Sequence, residues 1–151
     1  MSYPRIIEEY NNDRKLEVMK KCDSAFTLSV INSAHFDQTY QRIIKNAVFL
    51  VAIDLIDQNE TSVGYAAMYA NDKVSQTAYI SLLCVKKESQ GKHIGSMMIS
   101  RCLEIAKKNS MKEIKLEVLN ANEQAISFYT HLGFEFAGFS SEESSFMRRS
   151  V

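Results

Sequence analysis

Two short segments of this chain carry residue types that can do chemistry. The first is Gln90-Gly91-Lys92-His93-Ile94-Gly95-Ser96. It follows an apolar run, Ala78 to Val85, and opens an amphipathic stretch from Ile94 to Asn109. A turn at a helix start presents unpaired backbone N–H groups, and the helix dipole adds positive potential there. Such a turn is a ready anion site. The second segment holds Asn122, Ala125 and Tyr129, followed by Gly133-Phe134. Two glycines in a strand–helix turn are, alone, ordinary punctuation. The order and spacing of both segments point to a protein that holds a phosphorylated carrier and delivers a group from it.

Positioning these residues requires a scaffold, and the apolar periodicity supplies one. Leu16 and Met19 predict a helix capped at Asp13, and Tyr40, Ile43 and Ile44 predict a second capped at Asp37. Ser24 to Phe36 fits no period. Val48 to Ile53 reads as a strand, Asp57 to Glu60 as a turn, and Ser62 to Tyr69 as the returning strand. After Asn71-Asp72-Lys73, Thr77 to Val85 completes an expected antiparallel meander. Ile94, Met97, Met98, Cys102, Ile105 and Ala106 mark one face of a long helix. Ile114, Leu116 and Val118 alternate with charged residues as a strand. Ala125, Phe128, Tyr129 and Leu132 give a last helical stripe, with Gly133 as its C-cap. Glu135 to Phe139 and Ser145 to Arg149 form a final antiparallel pair. The expected fold is mixed α/β: a twisted, mostly antiparallel sheet, flanking helices and a central strand–helix–strand crossover.

Composition narrows the classes. The 151 residues fit one domain with a sizeable core. Lys and Arg together number 18, as do Asp and Glu, so no basic surplus favours nucleic acid. No apolar run is long enough to span a membrane, and Met1 to Arg5 lacks a signal-peptide core. Cys22, Cys84 and Cys102 are odd in number and show no metal spacing. We expect packed, reduced thiols in a cytoplasmic protein that needs no metal.

In element order from about Val48 to Arg149, and most sharply from Tyr79 to Phe134, the chain resembles the GNAT superfamily of acyl-CoA-dependent N-acetyltransferases. That family follows a valine-like strand end with a Gln/Arg-x-x-Gly-x-Gly/Ala turn. Val85, Gln90 and Gly95 match it, and His93 stands where the first glycine is usual. The family's Asn-x-x-Ala-x-x-x-Tyr pattern and Gly-Phe recur as Asn122, Ala125, Tyr129, Gly133 and Phe134. Leu116-Glu117-Val118 repeats a strand motif found in many members.

The resemblance implies acetyl-CoA as donor. The turn opened by Gln90 would grip its diphosphate, through backbone amides of Gly91, Lys92, His93, Ile94, Gly95 and Ser96. Asn122 would touch CoA, and Tyr129 would sit near the thiol and protonate the leaving thiolate. Backbone amides at Leu83 and Val85 would receive the carbonyl oxygen. Glu117 is the leading general base, and its alternative is a solvated charge on the polar side of a strand. His93 is foremost a surface residue whose backbone amide matters, then a source of positive charge near phosphate, and last a catalytic group.

The whole chain, 1–151, is expected to be one GNAT-like domain. Residues 1–46 would be a helical region shaping the acceptor site, and 47–151 the acetyl-CoA-binding core. The expected reaction is direct attack by a primary amine of a small molecule or amino sugar in a ternary complex. Alternatives are a protein N-terminal or lysine acetyltransferase and a non-catalytic acyl-CoA sensor or partner module. No nucleic acid or membrane partner is expected, and the oligomeric state stays open, a homodimer included.

Overall fold

The computed structural model describes residues 2–151. In chain order it contains β1 (Arg5–Glu8), α1 (Asn12–Cys22), a 3-10 turn (Asp23–Ala25), α2 (Phe36–Asn46), β2 (Val48–Ile56) and β3 (Asn59–Tyr69). Then come β4 (Thr77–Val85), a second 3-10 turn (Lys87–Ser89), α3 (Ile94–Lys108), β5 (Glu113–Leu119), α4 (Glu123–His131), β6 (Glu135–Phe139) and β7 (Ser144–Ser150). The hydrogen-bonded strand order is β1-β2-β3-β4-β5-β7-β6. The mixed α/β sheet with a β4–α3–β5 crossover is the architecture that the periodicity predicts.

The chain divides into two compact units. One comprises the described residues up to Met68 and Leu82–Arg101, the other Tyr69–Ser81 and Cys102–Val151. In the first, β1 pairs antiparallel with β2, and β2 with β3. Asp57 and Gln58 both take positive φ, 51° and 67°, which suits the right-handed twist of a two-residue hairpin. The returning strand therefore starts at Asn59, three residues before the expected Ser62. The register shifts between Ala52 and Ile53: Ala52 faces Gly64 while Ile53 faces Ser62, so Val63 is the extra residue of a bulge.

The first unit's core gathers Val18, Met19 and Cys22 of α1, Ile43 of α2, Phe49 and Val51 of β2, Tyr65 and Ala67 of β3, and Cys84. Tyr65 stacks on Phe49 at 5.3 Å and meets Phe26 edge-on at 6.0 Å. All three cysteines are buried free thiols. Helix α1 is capped two residues earlier than expected, by the Asn11 side chain accepting from the Arg14 amide at 3.0 Å. Asp13 and Asp37 lie in the first turns of α1 and α2, where a negative charge meets the positive helix end. His35, not Asp37, occupies the N-cap of α2, and its side chain makes no capping bond.

The aperiodic segment after α1 has its own organiser. Asp23 accepts from the Ser29 hydroxyl at 2.6 Å and from the Val30 and Ile31 amides at 2.8 and 3.2 Å. Burial works against this carboxylate, but the three donors outweigh it and hold its pKa below the ordinary aspartate value.

In the second unit β4 and β5 run parallel, and their ladder joins Thr77–Ile80 to Glu113–Leu116. Strand β7 pairs antiparallel with all of β5, and β6 with β7. Ile114, Leu116 and Val118 are buried while Glu117 is exposed, as the alternation requires. Helix α4 ends in a Schellman motif. Gly133 has φ +89°, its N–H reaches the Thr130 carbonyl at 3.0 Å, and the Phe134 N–H reaches that of Tyr129 at 3.0 Å.

Candidate functional site

The first unit contains Leu83, Val85 and the whole turn from Gln90 to Ser96. Three contacts fix the strand end that leads into the turn. The Lys86 amide donates to the carbonyl of the bulged Val63 at 2.8 Å. Gly64 lets the two backbones meet: a Cβ there would lie 2.4 Å from the Cys84 carbonyl oxygen. The Gln90 side-chain amide donates back to the Val85 carbonyl at 3.0 Å. Leu83 and Val85 are only half-buried, so Cys84 is the core residue of this strand end.

The turn itself is set by two left-handed residues, Gly91 at φ +86° and His93 at φ +64°. Histidine therefore takes the torsion that the family pattern assigns to glycine. It is among the few non-glycine types enriched in that region. Its side chain is exposed, and its carbonyl accepts from the Met97 amide at 3.0 Å, which starts α3. A Cβ added at Gly91 would meet nothing within 4 Å, so the face of the turn beside it is open. The turn feeds α3, a helix of 15 residues, and the unpaired N–H groups at a helix start favour an anion. A diphosphate fits these donors.

The second unit contains Glu117, Asn122 and Tyr129. Asn122 is the N-cap of α4, and its Oδ1 accepts from the Ala125 amide at 3.1 Å. That bond explains part of the Asn-x-x-Ala pattern: the asparagine starts the helix on which Tyr129 sits. Tyr129 is half-buried and lies between Phe128 at 5.1 Å and Phe134 at 5.6 Å, both edge-on. Of its two ring partners Phe134 is the core residue, at 2% exposure, while Phe128 of the expected stripe stays half-buried on a helix with no buried residue.

Glu117 is exposed on β5, and its negative charge reaches Tyr79 on β4. Burial first and Glu117 second push the Tyr79 hydroxyl above the ordinary tyrosine pKa. Sequence reasoning missed Tyr79. The alternation of β4 put it opposite the buried face, but only the register Tyr79–Lys115 brings it beside Glu117. Among the described residues no cluster of three or more His, Cys, Asp or Glu could hold a metal ion. None of the described helices is long and apolar enough to cross a membrane.

Comparison with known proteins bears on the family and the fold. The family model described as "Acetyltransferase (GNAT) family" matches residues 16–134. N-alpha-acetyltransferase 30 of Schizosaccharomyces pombe is 39% identical over 56 residues, a stretch covering 37% of this chain and 37% of that protein. The match thus spans little more than a third of that relative's length. Among solved structures, a GNAT-family acetyltransferase of Staphylococcus aureus superposes with a TM-score of 0.76 at 19% identity, covering 97% of this chain and 98% of the other. The PaiA N-acetyltransferase of Thermoplasma acidophilum, solved in complex with coenzyme A, gives 0.73 at 19% identity, with 97% and 99% covered. At such identities the structural likeness speaks for the fold, and the family model speaks for descent. By that match, over most of its length, the chain belongs to the GNAT family of acetyltransferases.

Proposed function

We propose that this protein transfers an acetyl group from acetyl-CoA to a primary amine by direct attack in a ternary complex. The observation that carries this reading is the turn at 90–96, whose left-handed Gly91 and His93 shape it as a diphosphate cradle at the start of α3. Backbone amides of Gly91 to Ser96 bind the diphosphate, with Gln90 opening the turn, and Asn122 contacts the CoA arm. Backbone amides of Leu83 and Val85 receive the carbonyl oxygen as it gains charge. Glu117 takes the amine proton, directly or through a water. Tyr129 gives a proton to the departing thiolate. Residues 1–46 shape the acceptor side, and the protein works in the cytoplasm.

The acceptor class follows from the cost of deprotonation. An amine with a pKa of about 10.4 is neutral at pH 7 only at a cost of about 4.6 kcal/mol, against about 1 kcal/mol for a pKa of about 7.8. An exposed Glu117 is a weak remedy for the larger figure. The chemistry therefore suits an amine acidified by neighbouring electron-withdrawing groups. An amino sugar or small α-amino compound comes first. A peptide's N-terminal α-amine is the second reading, supported by the Leu116-Glu117-Val118 strand and by the stretch shared with N-alpha-acetyltransferase 30.

Release of free thiol from acetyl-CoA, measured with amino sugars, α-amino compounds, short peptides and an ε-amine, tests the reading. Amine-dependent release, greatest for one of the first three, is expected. Equal release with and without every amine would make the protein a non-catalytic acyl-CoA sensor.

A further inference from the structure

We infer that Asp54 is a positioning residue of the cofactor turn and acts through Lys92. The inference rests on the reading that residues 90–96 take the CoA diphosphate.

Asp54 is an anomaly in β2. It interrupts the apolar run Val48-Phe49-Leu50-Val51-Ala52-Ile53 and is nevertheless only 8% exposed. A buried carboxylate is tolerated only when its oxygens have partners. One oxygen accepts from the Leu55 amide at 2.9 Å. The other lies 3.4 Å from Nζ of Lys92, whose side chain is about half exposed. Asp54 follows the bulge at Val63 by two residues of β2, and bulges redirect the side chains beside them.

Lys92 immediately precedes left-handed His93. The turn is therefore tethered twice by side chains: near its start by Gln90 to Val85, and at its middle by Lys92 to Asp54. In this arrangement the ammonium of Lys92 is already neutralised by a fixed carboxylate. It serves as a strut holding the backbone amides in place, and those amides bind the anion. A lysine acting as a direct phosphate ligand predicts the opposite sign for Asp54, which would then compete for it.

The test is a double-mutant cycle on the CoA Kd by calorimetry, with Asp54→Asn, Lys92→Met and both together. Asp54→Asn keeps the side-chain volume and an acceptor for the Leu55 amide. Each single change should weaken CoA binding severalfold, and the pair should be no worse than the weaker single variant. At saturating acetyl-CoA, kcat should hold while KM rises. Lys92→Met should also lower the melting temperature of the ligand-free protein, because it leaves Asp54 buried without its counter-charge; this measurement decides the matter if Asp54→Asn does not fold. Tighter or unchanged CoA binding in Asp54→Asn overturns the inference, as does strict additivity or an unchanged ligand-free melting temperature in Lys92→Met. Gly95→Val serves as control for the underlying reading: if it binds CoA as tightly as the parent, the turn is not the cofactor site and the role of Asp54 falls with it.

Discussion

Replacing His93 by glycine should stabilise this protein, although glycine usually weakens a fold. The reason is torsional. His93 sits at φ +64°, where a Cβ crowds the backbone. Relief of that crowding is worth about 1 to 2 kcal/mol. Against it stands the extra chain entropy of an unfolded glycine, about 0.4 to 1 kcal/mol. The His93 side chain is exposed, so its removal forfeits little packing. The net gain spans about 0 to 1.6 kcal/mol, and its mid-range of about 0.8 kcal/mol raises Tm by about 2 to 3 °C for a chain of this length. Glycine is also an acceptable residue at the helix start that His93 occupies. His93→Val should do the reverse, since a β-branched side chain at positive φ is a true outlier, and Tm should fall by several degrees. Scanning calorimetry gives the three melting temperatures, and titration with CoA shows whether the turn keeps its shape. The glycine form should bind CoA at least as well as the parent, and the valine form worse. If glycine lowers Tm while valine is tolerated, the torsion is not strained and the reasoning fails.

Three further outcomes are expected. Tyr129→Phe keeps the ring between Phe128 and Phe134 but removes the hydroxyl. Turnover should drop by about a hundredfold with little change in acetyl-CoA Kd, because the bond strengthens only as sulfur gains charge. Equal kcat values would remove Tyr129 from the mechanism. Glu117→Gln should slow turnover and alter the acid limb of the pH–rate profile, and an unchanged profile would make Glu117 a surface charge. Asp23 is held below its ordinary pKa in the fold. Its contribution is therefore full above the unfolded value of about 3.9 and disappears as pH falls through the lower folded value. The denaturant midpoints of the parent and Asp23→Ala should differ at neutral pH and converge on acidification; a pH-independent difference would show that the carboxylate's charge is not what holds Ser29, Val30 and Ile31.

Much of this fold was legible because its central elements have clean periods. Alternation in 114–118 and the stripe of Ile94, Met98, Cys102 and Ala106 fixed the crossover, and Gly133 marked the end of α4 through a torsion that favours glycine. Three kinds of feature escaped. Strand β1 is four residues long and half-buried throughout, so it shows no alternation. The loop after α1 is ordered by one carboxylate and three donors, an arrangement with no period at all. The pairings Tyr79 with Glu117 and Asp54 with Lys92 depend on register and on a bulge, which arise only when distant segments pack. The candidate cofactor turn was readable as glycine-rich spacing, yet its defining property is a pair of left-handed residues, one of which is not glycine.

Gly64 illustrates how mutational tolerance can mislead. Its missing side chain leaves just enough room for the Cys84 carbonyl, which a methyl group would approach to 2.4 Å. Every other amino acid would have to push the end of β4 aside, and with it the backbone that leads to the turn. In a saturation library selected for activity, position 64 should be as depleted of substitutions as a reacting residue, while contributing no functional group of its own. Intolerance there would report on the thickness of an atom, and ranking sites by intolerance alone would place this silent spacer among the chemistry.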